Sequence, residues 1–361
     1  MITSINIDNY KGLTDFNING MKRITLVSGV NNVGKTSVLE AVFLLHNFLA
    51  ADPFYSQYFF RNMSAYGNVG ADIWSPFFYN YNSNKNINIT VTYDGGTTGR
   101  LECQILKNNI LSDKMLSMLY PSFGNVAAIN NAVRISGNVN TLLGLNYYQN
   151  DEMKFNANLC FNGTQSVVEI LNVYKGEDLP QVTILFPTDN QSINSIDLSK
   201  LDIDNKMDNV IEFLKVMEPK IKGLSIVPTY AGGSEIYIDI GLAKKIPVKM
   251  MGYGFVRQLK LILTLAAYPK SVLLIDEIEN GIHYSYMKNI WHNVMLAAKT
   301  FDCQIIASSH SYECIRAASE GIIDSDELAY VRLDNRDSHI VTKVFDNDML
   351  SMAFKHDMEI R

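Results

Sequence analysis

The sequence predicts an α/β fold: a mixed sheet with helices on both faces, interrupted by an inserted α+β region. Three observations predict it. Near the start, an apolar stretch over residues 23–27 runs into Gly29-Val30-Asn31-Asn32-Val33-Gly34-Lys35-Thr36, and residues 37–49 then repeat apolar side chains at helical spacing. Near the end, Val272-Leu273-Leu274-Ile275 is apolar at every position, as a strand must be in a parallel sheet covered on both faces. Between them lie alternating runs with glycine or Asn-Gly turns, the pattern of hairpins.

The elements follow in order. Ile2, Ile5 and Ile7 open a first strand, residues 9–13 turn, residues 16–18 form a second short strand, and 23–27 a third that feeds the glycine loop. Residues 50–84, rich in Tyr, Phe, Asn and Ser with Pro53 and Pro76, read as loop and short helix. Alternation over 87–93 resumes over 101–106 after Gly95-Gly96, a hairpin. Residues 108–150 are Asn-rich without a clear pattern, and 153–172 read as a second hairpin around Asn162-Gly163. A strand follows at 182–186. Over 198–222, Met207, Val210, Ile211, Leu214, Val216 and Met217 fall on one helical stripe, either a packed amphipathic helix or a partner-binding arm. Strands are expected at 224–227, 236–240, 272–275 and 304–308, and helices at 256–267, 284–299 and 312–319. Two strands, 328–333 and 339–345, close the chain. The expected organisation is one domain in two parts, 1–107 and 223–361, with 108–222 inserted between them.

A chain of 361 residues, 47% hydrophobic and 19% charged, can bury a large core. A net charge of −6 argues against coating nucleic acid by bulk charge, while leaving room for a local basic groove. Cys103, Cys160, Cys303 and Cys314 have no C-x-x-C spacing and read as buried thiols in a reducing cytoplasm. No charged-then-apolar leader opens the chain and no apolar run is long enough to span a bilayer, so a cytoplasmic protein without a membrane partner is expected.

The glycine loop has the chemistry of a phosphate cradle. Gly29 and Gly34 let the backbone wrap closely, so that N–H groups through Asn31, Asn32 and Ser37 can point at a polyphosphate. The helix start adds about half a positive charge. Lys35 reaches the outer phosphates and Thr36 offers its hydroxyl to Mg²⁺, which makes a nucleotide with Mg²⁺ the expected ligand. A plain glycine turn before a helix would need neither side chain.

The second half of the site is 240 residues downstream of Thr36. The strand 272–275 ends in Asp276-Glu277, which places Asp276 at the metal held by Thr36 and Glu277 one step further, where a carboxylate can orient or deprotonate an attacking water. Alone, the pattern equally fits a strand ending in solvated acids. His310 ends the next strand and reaches the same sheet edge, either to hydrogen-bond the terminal phosphate or water, or to cap a junction. His283, at a helix start, has a catalytic and a packing reading. His46, His292, His339 and His356 stand without a constellation and read as packing or surface residues. Gly252 and Gly254, in Met251-Gly252-Tyr253-Gly254-Phe255-Val256-Arg257, form a second anion nest at a helix start, expected to close on the nucleotide of a neighbouring subunit, or else a flexible helix entry.

These pieces, in this order, resemble the ATP-binding-cassette (ABC) type ATPases of the RecF, SMC and OLD group, and more narrowly the compact ATPases of bacterial anti-phage and abortive-infection operons. The resemblance rests on Ile5-Asn6-Ile7-Asp8-Asn9-Tyr10-Lys11-Gly12, the phosphate loop with Ser37-Val38-Leu39-Glu40-Ala41, and Gly252-Tyr253-Gly254. It rests further on Ile275-Asp276-Glu277-Ile278-Glu279-Asn280-Gly281-Ile282-His283, Ser308-Ser309-His310-Ser311 and Met358-Glu359-Ile360-Arg361. It implies an ABC-type ATPase head and an ATP-driven homodimer, sometimes in a larger oligomer, with two sandwiched nucleotides. Gly252 and Gly254 then stand in the signature loop, Glu277 as catalytic base and His310 as switch histidine. The signature lacks a Ser-Gly-Gly run, and Gln57 and Gln104 are the candidates for the Q-loop glutamine. No long coiled coil interrupts the chain, and too little follows His310 to hold a TOPRIM-type nuclease. The resemblance therefore implies a switch on a separately encoded effector, a nuclease or toxin, with a phage protein or DNA as trigger. The alternative is a RecF-like ATPase that binds DNA directly in repair or maintenance.

Overall fold

Two sheets enclose the helix that follows the glycine loop. The structure, a computed structural model, describes residues 1–48, 54, 73–106, 114–115, 142–161, 166–176, 178–187, 195–229, 233–324, 326–336, 339–356, 358 and 360. Its first elements are β1 (Ile2–Asp8), β2 (Phe16–Asn19), β3 (Ile24–Gly29) and α1 (Lys35–Asn47). Then come β4 (Ile87–Tyr93), β5 (Thr98–Leu106), β6 (Leu142–Gln149), β7 (Glu152–Phe161), β8 (Ser166–Val173) and β9 (Val182–Leu185). Next are α2 (Ser195–Ile203), α3 (Met207–Leu214), β10 (Gly223–Pro228), β11 (Ser234–Asp239), β12 (Ile246–Pro247) and α4 (Tyr253–Ala267). The last are β13 (Val272–Ile275), α5 (Tyr284–Thr300), β14 (Gln304–Ser309), α6 (Tyr312–Gly321), β15 (Leu328–Arg336), β16 (His339–Asp346) and α7 (Asn347–Lys355).

One sheet has six strands in the order β16-β15-β3-β14-β13-β9, parallel except for the antiparallel edge strand β16. The second is antiparallel, seven strands in the order β2-β1-β4-β5-β6-β7-β8, and β10-β11-β12 form a third, smaller sheet. The stretch 108–222 thus contributes to both large sheets: β6, β7 and β8 continue the antiparallel one, and β9 pairs with β13 in the parallel one.

The all-apolar run of β13 is explained by its two faces. Leu273 and Ile275 enter the core formed with α4, α5 and α6, while Val272 and Leu274 enter the core that holds α1 and the antiparallel sheet. Successive side chains on a strand point to opposite faces, so a strand covered twice must be apolar throughout. Helix α1 packs on both large sheets, and Val38, Leu39, Ala41, Val42, Leu44 and Leu45 are all buried. A helix between two sheets loses the polar stripe of a surface helix.

Several elements differ from the sequence reading. The single helix expected over 198–222 is two, α2 and α3, because Asn205 adopts a left-handed backbone (φ +55°) that ends the first, and Val216 and Met217 lie beyond the second. Helix α7 was not expected; Asp346 caps it by accepting from the Met349 N–H, a local signal hidden at the end of a strand. Strand β6 lies in the Asn-rich stretch that showed no pattern, and its burial at nearly every position removes the alternation that marks a strand. The second hairpin is present as β7 and β8, while its turn at Asn162-Gly163 lies outside the described residues. Among the described residues no helix is long and apolar enough to cross a membrane.

Candidate active site

The glycine loop leaves β3 through two positions that exclude a side chain. Gly29 has φ +149°, and a Cβ there would sit 2.5 Å from the Leu333 carbonyl oxygen. Gly34 has φ +96° and closes on Leu13, whose Cδ2 would lie 3.0 Å from a Cβ. Asn32 also adopts a left-handed backbone, at φ +62°. Val30, Asn31 and Asn32 are exposed at the rim, whereas Ser37 is buried in the first turn of α1. The N-cap Gly34 has no side chain to cap α1, and among the described residues its first N–H groups are left for a ligand. Uncapped N–H groups within a glycine cradle fit a polyphosphate.

Lys35 Nζ donates to the carbonyls of Gly29 and Val30, at 2.8 and 3.0 Å, and so lies folded along the loop. Burial lowers its pKa, opposed in decreasing order by the charges of Asp276, Glu279 and Glu277. All three carboxylates follow β13, and their negative charge favours the protonated ammonium beside the phosphate loop.

Asp276 and Thr36 meet. The Thr36 hydroxyl donates to the Asp276 carboxylate, 3.1 Å from Oδ2 and 3.2 Å from Oδ1. Ser308 Oγ donates to Asp276 Oδ1 at 2.5 Å and accepts the Glu277 N–H at 2.8 Å, tying the ends of β13 and β14 together. Burial raises the Asp276 pKa; hydrogen bonds from Ser308 and Thr36 oppose it, the Glu40 charge adds to it, and Lys35 opposes it. A hydroxyl and a buried carboxylate at the foot of the phosphate loop are the donor set that fits a hard divalent cation already carrying phosphate and water ligands. Glu40, one turn along α1 from Thr36, is buried and paired with Lys11 at 2.6 Å.

Glu277 follows with a left-handed backbone, φ +50°. Arg257 Nη2 on α4 holds that turn by donating to the carbonyls of Asp276 (2.7 Å) and Glu277 (2.8 Å). His310 lies at the same end of the sheet, three residues past the register pair Ile275↔Ala307. It pairs with Glu279 rather than Glu277: its backbone N–H donates to Glu279 Oε1 at 2.9 Å, and its Nδ1 is 3.1 Å from the same oxygen.

The remaining expectations divide. His283 caps α5, its Nδ1 accepting from the Ser285 N–H, which gives it a structural task. Gly252 is the N-cap of α4 with open space around it. Gly254 lies inside the first turn of α4, and a Cβ there would sit 2.3 Å from the Gly281 carbonyl oxygen, so this glycine serves a close approach within its own chain. Gln104 lies on β5 beside Gly144, in the antiparallel sheet, and Gln57 lies outside the described residues. Of the C-terminal residues, Met358 is exposed while Ile360 is buried, with its carbonyl accepting from Tyr330. The sequence reading assigned no role to Ser308, Arg257 or Glu279. All three lie in stretches it singled out, but only their partners, on other elements, reveal what they do.

Comparisons with known proteins give a family and a fold. The family described as "AAA ATPase domain" matches residues 1–218, and the one described as "AAA domain, putative AbiEii toxin, Type IV TA system" matches residues 176–316. An "ATP/GTP phosphatase" of Helicobacter pylori is 21% identical over 389 aligned positions, covering 99% of each chain. An SMC head bound to the C-terminal winged-helix domain of ScpA aligns with TM-score 0.51 at 12% identity, covering 96% of this chain and 98% of that one. The SMC head from Pyrococcus furiosus, with an extended coiled coil and bound to the C-terminal domain of ScpA, aligns with TM-score 0.51 at 10% identity over 99% of both. The fold is that of the SMC heads, an ABC-type ATPase fold.

Proposed function

We propose that this chain, which belongs to the AAA ATPase domain family and is an ATPase, closes on a second copy of itself around Mg–ATP and thereby switches a separately encoded effector in anti-phage defence. The observation that carries the reading is the convergence of Lys35, Thr36 and Asp276 on one cradle from remote parts of the chain. In this reading the N–H groups from Gly29 to Ser37 bind the phosphates, Lys35 neutralises the outer ones, and Thr36 and Asp276 hold Mg²⁺. The bound cation supplies charge neutralisation at the phosphate oxygens. Glu277 orients a water and accepts its proton as that water attacks the terminal phosphorus and the bond to the ADP oxygen breaks. His310 steadies the terminal phosphate. Gly252 and Gly254 face the nucleotide of the neighbouring copy. Contacts that depend on the terminal phosphate are lost on hydrolysis, which makes closure a switch.

The defence assignment is supported by the match of residues 176–316 to the family whose description names an AbiEii toxin. It is tested by expressing the chain with its neighbouring genes and plating phage. Plating should fall, and a Lys35→Ala strain should plate phage as a strain without the genes does. Equal plating on wild-type and Lys35→Ala strains overturns it.

A second reading, direct binding of duplex DNA as in RecF-like repair, has one observation in its favour. Lys220, Lys222, Lys244 and Lys245 are exposed near one end of the small sheet, where Lys222 lies against Gly241 and Lys245 reaches Ser225. Binding to duplex DNA that weakens steeply with salt would favour it.

A further inference from the structure

We infer that Glu279 is the residue that positions His310, so that the two work as a carboxylate–imidazole pair at the terminal-phosphate end of the site. The inference rests on the proposed role of His310 at the terminal phosphate and assigns it a partner that the acid pair Asp276-Glu277 does not supply.

Glu279 lies in the turn after β13. That turn is held by the Asn280 N–H on the Glu277 carbonyl and the Ile282 N–H on the Glu279 carbonyl, at 3.0 Å each. The Glu279 side chain is directed inward and retains only 9% exposure, whereas that of His310 retains 49%. A buried carboxylate is costly unless it is paired. Its Oε1 contacts His310 twice, through the backbone N–H at 2.9 Å and the ring Nδ1 at 3.1 Å, and its buried Oε2 has no hydrogen-bond partner among the described residues. Among the described residues its side chain forms hydrogen bonds with no other residue. Among those residues, too, no hydrogen bond joins the Glu277 carboxylate to His310.

Two consequences follow from elementary chemistry. An ionised carboxylate only accepts hydrogen bonds, so Nδ1 carries the hydrogen and Nε2, across the ring, is the atom left for a ligand. Attachment at both the main chain and the ring also removes the freedom of the imidazole to rotate away, as the carboxylate partner of a metal-bound or catalytic histidine does. The pair lies at the end of the sheet where β13 runs into Asp276, since His310 directly follows β14, the strand beside β13.

The test compares Glu279→Ala, Glu279→Gln, His310→Ala and the Glu279→Ala/His310→Ala double variant, in steady-state ATP hydrolysis and equilibrium ATP binding. Glu279→Ala should lower kcat about 10- to 100-fold, the usual cost of losing an orienting outer partner, without weakening ATP binding. Glu279→Gln keeps an acceptor of the same shape and should retain more activity than Glu279→Ala. The double variant should be no slower than His310→Ala, because Glu279 acts through His310. Ring-nitrogen NMR of ¹⁵N-histidine-labelled protein should report an Nδ1–H tautomer for His310 in the wild type and its loss in Glu279→Ala. A slow His310→Ala beside a fast Glu279→Ala, or additive losses in the double variant, overturns the assignment of Glu279. Wild-type kcat in His310→Ala overturns the reading of His310 itself.

Discussion

The Thr36 hydroxyl lies 3.1 Å from the Asp276 carboxylate, although 240 residues separate them. Their strands are not neighbours: β14 runs between β3 and β13. Helix α1 closes the gap, since it starts above β3 and packs against β14 and β13, presenting Thr36 in its first turn to the end of β13. Ser308, at the end of the intervening strand, holds the same carboxylate from below.

The cradle makes a binding prediction. Lys35→Ala should weaken ATP affinity about 10- to 100-fold, because a hydrogen bond to a charged group contributes about 1.5–3 kcal/mol. Asp276→Asn should keep the shape and lose the metal, so that Mg²⁺ no longer strengthens ATP binding. A fluorescent-nucleotide titration with and without Mg²⁺ checks both, and undiminished affinity in Lys35→Ala removes the loop from the site.

Glu277 makes a catalytic one. Glu277→Gln preserves the backbone turn held by Arg257 and Ser308 and removes the proton acceptor. Turnover should fall about 10²- to 10⁴-fold. ATP binding should persist, and ATP should drive the variant into larger closed assemblies, measured by light scattering after size exclusion. Unchanged turnover refutes the role of this carboxylate.

The two glycines at the start of α4 should separate cleanly by stability. An alanine at Gly254 puts a Cβ 2.3 Å from the Gly281 carbonyl oxygen, whereas at Gly252 no described residue lies within 4 Å of one. Gly254→Ala should destabilise the fold by about 1–3 kcal/mol, the usual cost of overpacking. Gly252→Ala should leave the melting temperature nearly unchanged. Thermal unfolding without nucleotide tests the contrast, and equal melting temperatures for the two variants contradict it.

His46 predicts a pH dependence of stability. It is half-buried near the end of α1, its Nδ1–H donating to the Val42 carbonyl at 2.7 Å and its Nε2 accepting from the Tyr93 hydroxyl at 2.8 Å. Burial lowers its pKa from 6.5 to about 4. The folded value lies below the unfolded one, so the unfolded chain binds the proton more readily between them. The contribution of His46 is therefore complete above the unfolded value and lost as pH falls towards the folded one, about 3 kcal/mol in all. Denaturant unfolding at about pH 5 and about pH 7.5 should show a drop in wild type that is smaller in His46→Phe, and an equal drop in both would place the effect elsewhere.

Much of the site was legible because its parts are local. Gly29, Gly34, Lys35 and Thr36 are contiguous or nearly so, and a strand–loop–helix needs only the periodicity on either side to be recognised. Asp276 and Glu277 were legible because they directly follow an all-apolar strand and share a chain with the phosphate loop. Gly254 was read as part of an anion nest; its close approach to Gly281 is a further constraint, from a partner that no local pattern names. The extent of α2 and α3 was misread for a different reason: the helix carrying the stripe from Met207 onward was drawn back to residue 198, across a left-handed Asn205 that the hydrophobic period does not register.

By itself the sequence determined the phosphate loop, the acid pair, most individual strands and helices, and so the class of fold. Those features depend on residues a few positions apart, where backbone preference and the alternation of side chains act directly. Tertiary structure decided the rest: β9 beside β13, β6 beside β5, Arg257 on the carbonyls of the acid turn, and Glu279 beneath His310. Many strands carry an apolar face able to pair with many others. Which of them meet depends on burying all those faces at once while leaving few polar groups unpaired, a condition on the whole molecule that no short window of sequence contains.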